Sequence, residues 1–220
     1  GLTHLPVYYM QGGLSREQLS KGQLRFGNNS ENYFRILEQI ENEIQTAPED
    51  YMLGMAPHSL RAVSPAALKE ILNSRKLEPV HIHISEQQKE VEDFQNNYGK
   101  RPVNWLIDNV NVDSRWCLVH STHMHPEEID KLAKSGAVAG LCPVTEANLG
   151  DGIFNGSKYI SSGGKYGIGT DSNISISLTD ELRMLEYMQR LYNKERNVMN
   201  NYSRSVGESL YKSCLLYTSD

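Results

Sequence analysis

The stretch Glu78–Gln87, EPVHIHISEQ, decides how this chain is read. Apolar residues alternate with His81 and His83, and Glu86 follows three residues after His83. Successive side chains of a strand point to opposite faces, so His81 and His83 share one face. Two rings on one face can share a metal ion. A single ring can instead bind the ion and leave Glu86 for proton transfer. The spacing leaves both readings open, and the neighbouring chain has to choose between them.

Outward from this stretch, short apolar runs alternate with amphipathic ones. GLTHLPVYYM (1–10), YMLGMAP (51–57), PVHIHIS (79–85), RWCLVHS (115–121), AVAGLCP (137–143) and YGIGTDS (166–172) read as strands. Helices are expected between them. Residues 31–47 space Tyr33, Phe34, Leu37, Ile40 and Ile44 at helical intervals. Residues 64–77 open with Ser64 as N-cap and Pro65 at the first helical position. Further helices are expected over 87–98, closed by Gly99, over 101–109, and over 125–136, where Pro126 opens and Gly136 ends the run. The last long one, 178–195, places Leu182, Leu185, Met188 and Leu191 in a stripe, with Ser177 and Asp180 as a capping box.

Strands separated by helices, with no hairpin signal, predict parallel pairing through crossover connections. No Gly-rich loop follows the first strand, which counts against a nucleotide-binding open sheet. Polar residues recur at the C-terminal end of one strand after another. His58 follows the second run, His83 and Glu86 end the third, His120 ends the fourth, Glu146 and Asn148 follow the fifth, and Asp171 ends the sixth. A parallel barrel builds its site on that rim. The expected fold is therefore α/β, a (β/α)8 barrel.

Composition narrows the function. The chain has 220 residues, 39% of them hydrophobic, enough for one sizeable core or part of a larger one. Its net charge is −5 and the 22 Lys and Arg are dispersed, so nucleic acid is not an expected partner. No apolar run approaches the ~20 residues that span a bilayer, and no membrane association is expected. Cys117, Cys142 and Cys214 are widely spaced, with no CxxC. They read as reduced thiols, the first two buried on strands, in a cytoplasmic protein.

Singly, each rim residue is a weak signal. A histidine on an apolar strand is more often packed and hydrogen-bonded than catalytic, and Asp171 after GIGT can serve a turn. Together, His, His and Asp on successive strand ends make the donor set of a hydrolytic zinc site. His123 and His125, beside Pro126, read as helix entry, and His4 as core. Glu146 and Asn148 read as a site-facing loop in which turn formation competes with substrate contact.

Several strings in order, HIHISEQQKEVEDF, RPVNWLIDN, RWCLVHSTHM, SGAVAGLCPVTEANLGDGIF, GGKYGIGTDSN and ELRMLEYMQRLY, resemble the amidohydrolase superfamily. Within it they resemble the deiminases of N-formimino-L-glutamate, which serve histidine degradation. The resemblance runs to about Tyr211 and implies one divalent metal ion, zinc first. It implies His83 and Asp171 as metal ligands, Glu86 as proton shuttle and His120 as a hydrogen-bond donor to the attacking water and the tetrahedral intermediate. Asp171 would take the proton of the water, and ammonia would leave. His58 and Arg61, in APHSLRAV, would hold the carboxylate of a small acidic substrate, since Arg grips carboxylates through paired hydrogen bonds. A homodimer is the expected state of the full-length parent.

The family's first-strand His-x-His pair has no counterpart in this chain. Counting back from Asp171 on the eighth barrel strand makes PVHIHIS the fifth and GLTHLPVYY the third, so the expectation is a fragment covering about strands three to eight. His83 is then one ligand, with His81 one layer deeper. A catalytic zinc takes at least three protein ligands, so the fragment alone is expected to be inactive. Residues 1–213 would form the partial barrel and 214–220, CLLYTSD, a non-native tail. Two alternatives stand beside this reading. One is another deaminase or chlorohydrolase of the superfamily acting on a purine, pyrimidine or triazine. The other is a non-catalytic module keeping remnants of a site.

Overall fold

A computed structural model of the chain describes residues 2–74, 79–200 and 205–214. Glu78 of the opening stretch, the expected helix end at 75–77 and the expected tail from 215 to 220 lie outside the described residues.

Among the described residues eight short strands form, all paired in parallel. β1 (Leu2–His4) pairs with β3 (Tyr51–Leu53), and β2 (Val7–Tyr8) with β4 (Ala56–Pro57). The expected first and second strands are thus each split. Pro6, which lacks an N–H, falls between β1 and β2. Gly54 falls between β3 and β4, where a Cβ would lie 2.7 Å from the Pro79 carbonyl oxygen. Isolated bridges from Met55 to Val80 and from Ser59 to His83 carry the pairing on to β5 (Val80–Ile84). A continuous four-stranded sheet follows in the order β5, β6 (Trp116–His120), β7 (Val138–Leu141), β8 (Lys165–Ile168).

The strands therefore lie side by side in chain order, with no reversal. A doubly wound sheet has a switch point where the order reverses, and none exists among the described strands. Consecutive order with helical crossovers is the sequence of a (β/α) barrel wall.

The helices are α1 (Ser30–Ile44), α2 (Pro65–Ser74), α3 (Gln88–Tyr98), α4 (Pro102–Asn109), α5 (Pro126–Ser135), α6 (Pro143–Leu149), α7 (Gly156–Ser161), α8 (Leu178–Asn193) and α9 (Val206–Cys214). Their ends follow the expected chemistry. The Ser64 hydroxyl accepts from the Ala67 amide and the Ser177 hydroxyl from the Asp180 amide, while Gly99 and Gly136 close α3 and α5 at φ 70° and 81°. Buried Val80, Ile82 and Ile84 of β5 face outward into the core with Leu118, Ala139 and Leu141 of the next strands. Each such side chain contributes roughly 1.5–3 kcal/mol of burial.

Several sequence expectations change. Glu146 and Asn148 lie not in a loop but on α6, which Pro143 opens and Gly150 closes at φ 72°. Leu191 does not complete the α8 stripe: Leu182, Leu185, Met188 and Gln189 are buried, but Leu191 is 78% exposed because successive i+3 steps fall short of a full turn and carry it to the opposite side of the helix from Leu182. His4 ends β1 half-buried against Tyr51 rather than lying in the core. Cys117 and Cys142 are buried and free, as expected, but only Cys117 lies on a strand (β6); Cys142 follows β7 as the N-cap of α6, and burial raises the Cys117 thiol to about 12. No helix among the described residues is long and apolar enough to cross a membrane.

Gly54 gives a test. Gly54→Ala forces Cβ onto the Pro79 backbone and should cost roughly 1–3 kcal/mol. Gly22→Ala, with nothing within 4 Å of the new methyl, should stay within about 0.5 kcal/mol. Urea unfolding of the two variants measures the difference.

Candidate active site

β5 carries the centre of the site. His81 and His83 stand on the inner face, both half-buried, while their neighbours are buried on the outer face. The His58 carbonyl, just past β4, accepts two hydrogen bonds from His83, one from its backbone N–H and one from ring Nδ1, both at 2.9 Å. A carbonyl can only accept, so Nδ1 carries the proton and Nε2 is left as the basic nitrogen. The His58 ring stacks on His83 at 4.8 Å between centroids, and Tyr9 packs edge-on against His58 at 4.5 Å. Burial, with His83 and Arg61 nearby, lowers His58 to about 3, so it is neutral at neutral pH. Burial also lowers His83, partly offset by its bond to the His58 carbonyl.

Past β5 the backbone turns sharply. Ser85 has φ 53°, and His120, Ser121 and Asp171 have 68°, 52° and 51°. For residues with a Cβ such left-handed conformations cost roughly 1–3 kcal/mol each and gather at functional sites. Glu90 on α3 holds the Ser85 turn. It is buried, and its carboxylate accepts from the Ser85 amide at 3.3 Å and the Glu86 amide at 3.0 Å. Glu86 is thereby set between two partners. The Arg61 guanidinium lies 3.6 Å from one carboxylate oxygen, and His120 Nε2 lies 3.7 Å from the other. Arg61, which the family resemblance implies as a carboxylate grip, is half-buried and faces the proton-shuttle candidate.

His120 ends β6 almost wholly buried. Its Nδ1 lies 3.3 Å from Glu146 Oε1, and its Nε2 is buried with no hydrogen-bond partner. Burial alone would lower its pKa, but the Glu146 hydrogen bond and the charges of Glu86, Glu146 and Asp171 outweigh that and raise it. Glu146 was expected in a site-facing loop, forming a turn or touching substrate, and its contact with His120 carries no sequence signal because the two are 26 residues apart. Asn148, on the same helix, is exposed. His123 meets the Asp151 carbonyl oxygen through Nε2 at 2.6 Å, and His125 opens α5 with its amide bonded to Glu128. Both are accounted for without a catalytic role.

The structure thus gathers His58, Arg61, His83, Glu86 and His120 on one rim, with Asp171 close enough to influence the charge states of His83 and His120. The free Nε2 of His83 and the carboxylate of Asp171 are donor types suited to zinc. Among the described residues, no three His, Cys, Asp or Glu groups come together closely enough to hold an ion. The donor chemistry fits a metal, but the number of donors in this chain falls short.

A parallel barrel wall with histidines and carboxylates on its C-terminal rim is the architecture of a hydrolytic enzyme class. This chain belongs to the amidohydrolase family, whose profile matches residues 11–207. It is 48% identical over 217 residues to a formimidoylglutamate deiminase of Pseudomonas aeruginosa, covering 98% of this chain and 48% of that protein. A 5-methylthioadenosine/S-adenosylhomocysteine deaminase of Shouchella clausii is 28% identical over 171 residues, covering 75% of this chain and 38% of that protein. A crystal structure of an amidohydrolase from Brucella melitensis superposes with a TM-score of 0.93 at 50% identity, covering 96% of this chain and 47% of that one. An adenosine deaminase from Xanthomonas campestris with bound zinc shares the fold, with a TM-score of 0.79 at 19% identity, covering 96% of this chain and 45% of that one. The chain spans about half the length of these relatives or less.

Glu90 offers a local test. Glu90→Ala leaves the Ser85 and Glu86 amides without an acceptor, at a cost of roughly 1–3 kcal/mol. Hydrogen exchange should accelerate at those two amides beyond the global change. Equal acceleration across β5 would show that Glu90 does not hold the turn.

Proposed function

We propose that the enzyme to which this chain contributes hydrolyses N-formimino-L-glutamate to N-formyl-L-glutamate and ammonia, the deimination step of histidine degradation, in the cytoplasm and as a homodimer. Water adds to the amidine carbon, a C–O bond forms, the bond to the terminal nitrogen breaks, and the formyl group stays on the glutamate nitrogen. A divalent metal, zinc first, supplies an activated water at neutral pH when bound, and His83 Nε2 and Asp171 are the groups of this chain that would hold it.

The remaining work falls to the chain's own side chains. Asp171 accepts the proton of the attacking water. Glu86 passes protons to the departing nitrogen, and its two flanking partners keep it within reach of both oxygen and nitrogen. His120, in the doubly protonated form that its carboxylate neighbours favour, would keep Nδ1–H on Glu146 and donate from Nε2 to the oxygen added to the attacked carbon. His58 and Arg61 bind the glutamate end.

The observation that carries the substrate reading is the 3.6 Å approach of Arg61 to Glu86. That proximity supports a carboxylate grip beside the proton shuttle, which suits a substrate whose carboxylate lies only a few bonds from the hydrolysed C–N bond. The formimidoylglutamate deiminase relative supports the same choice. A nucleoside substrate would ask for an aromatic stacking partner where Arg61 stands.

In the active enzyme, Glu86→Gln should lower kcat by about 10²–10⁴-fold. Arg61→Met should raise KM about 10- to 100-fold, since a charged hydrogen-bond grip contributes roughly 1.5–3 kcal/mol. Ammonia release from N-formimino-L-glutamate, beside S-adenosylhomocysteine as competitor, measures both. An unchanged KM in Arg61→Met would exclude the grip. The 220-residue chain alone, with two donors where a catalytic zinc takes three, should retain no stoichiometric zinc after dialysis and release no ammonia.

A further inference from the structure

We infer that Glu146 is a positioning residue: through His120 Nδ1 it holds the His120 ring so that Nε2 faces the reacting centre beside Glu86. The inference rests on the deiminase reading for its catalytic consequence, but its geometry stands without it. Glu146 is 1% exposed and His120 is 1% exposed, so water does not compete for their contact. Glu146 Oε1 also accepts the Cys142 backbone N–H at 3.2 Å. An oxygen that takes an obligatory donor is acting as an acceptor, so the Nδ1 it meets at 3.3 Å is the protonated nitrogen of the ring.

That fixes the other nitrogen. Nε2 has no hydrogen-bond partner in the protein and lies 3.7 Å from Glu86 Oε1, beyond bonding distance but on the reacting side. The ring is held at the end of β6 by a backbone in the left-handed region, φ 68°. A strained main chain with a free ring could turn the side chain either way, and the buried carboxylate removes that choice. Glu146 itself is fixed by α6, whose first turn it caps through Cys142. A helix-capping role alone would account for the Cys142 contact and leave the His120 contact incidental, so the test has to separate the two.

Ring ¹⁵N spectra of the full chain provide it, with His120→Asn assigning the signal, recorded where the ring is neutral. The wild-type chain should carry its proton on Nδ1. Glu146→Gln keeps an acceptor oxygen and should keep that tautomer. Glu146→Met keeps the volume, removes the acceptor and should mix the tautomers. In the active enzyme Glu146→Met should lower kcat about 10- to 100-fold with a smaller change in KM, and Glu146→Gln should recover most of it. A wild-type ring protonated on Nε2 overturns the inference, as does a Glu146→Met ring with an unchanged tautomer. If the tautomers behave as expected while the parent releases no ammonia from N-formimino-L-glutamate, the positioning stands and the substrate reading falls.

Discussion

The parallel register between β5 and β6 is the constraint on which the site depends. It pairs His83 with Val119 and Ile84 with His120, so the two strands end at the same height. Side chains that leave the ladder there arrive on one rim and within a few ångströms of one another. The same ladder extends past β4, where the His58 carbonyl takes both N–H groups of His83. Strand pairing and ring orientation are therefore one set of bonds. A one-residue slip would turn the histidines to the helix layer and bring Val80, Ile82 and Ile84 into the barrel.

Much of this was legible because strand chemistry is local. The alternation in PVHIHIS assigned faces, and the placement of His58, His83, His120 and Asp171 at run ends gave the rim. Helix ends were legible where Ser64, Gly99 and Gly136 carry stop and start chemistry. Less visible were the splits at Pro6 and Gly54, since each run reads as one apolar stretch. Leu191 was misjudged because repeated i+3 spacing drifts around a helix of 3.6 residues per turn, and three such steps from Leu182 reach the opposite face while Gln189, on the Leu182 side, stays buried. Glu146 and Glu90 were invisible as supports. Their roles depend on which buried groups reach them across the fold, and no local pattern encodes that.

Glu90 and Glu146 also show how carboxylates divide their labour here. Each is buried, and each satisfies a backbone amide next to a left-handed residue or a helix start. An unpaired buried amide costs about 1–3 kcal/mol, so these contacts offset the strain of the turns they hold. Glu86, half-buried, has its carboxylate approached by Arg61 and His120 at the longer distances of 3.6 and 3.7 Å, and under the proposed function that looser hold would let it move a proton.

Arg61 has one further consequence. Its guanidinium already lies 3.6 Å from Glu86, so under the proposed function an arriving substrate carboxylate would compete with that partner for the same charge. Anion affinity is then a difference between two ion pairs, smaller than either. Under the proposed function, such competition would free Glu86 from its counter-ion when the correct charge docks. A neutral molecule of similar shape would enter the same space and leave that ion pair in place, so in the proposed reaction charge recognition and readiness for turnover would be a single event.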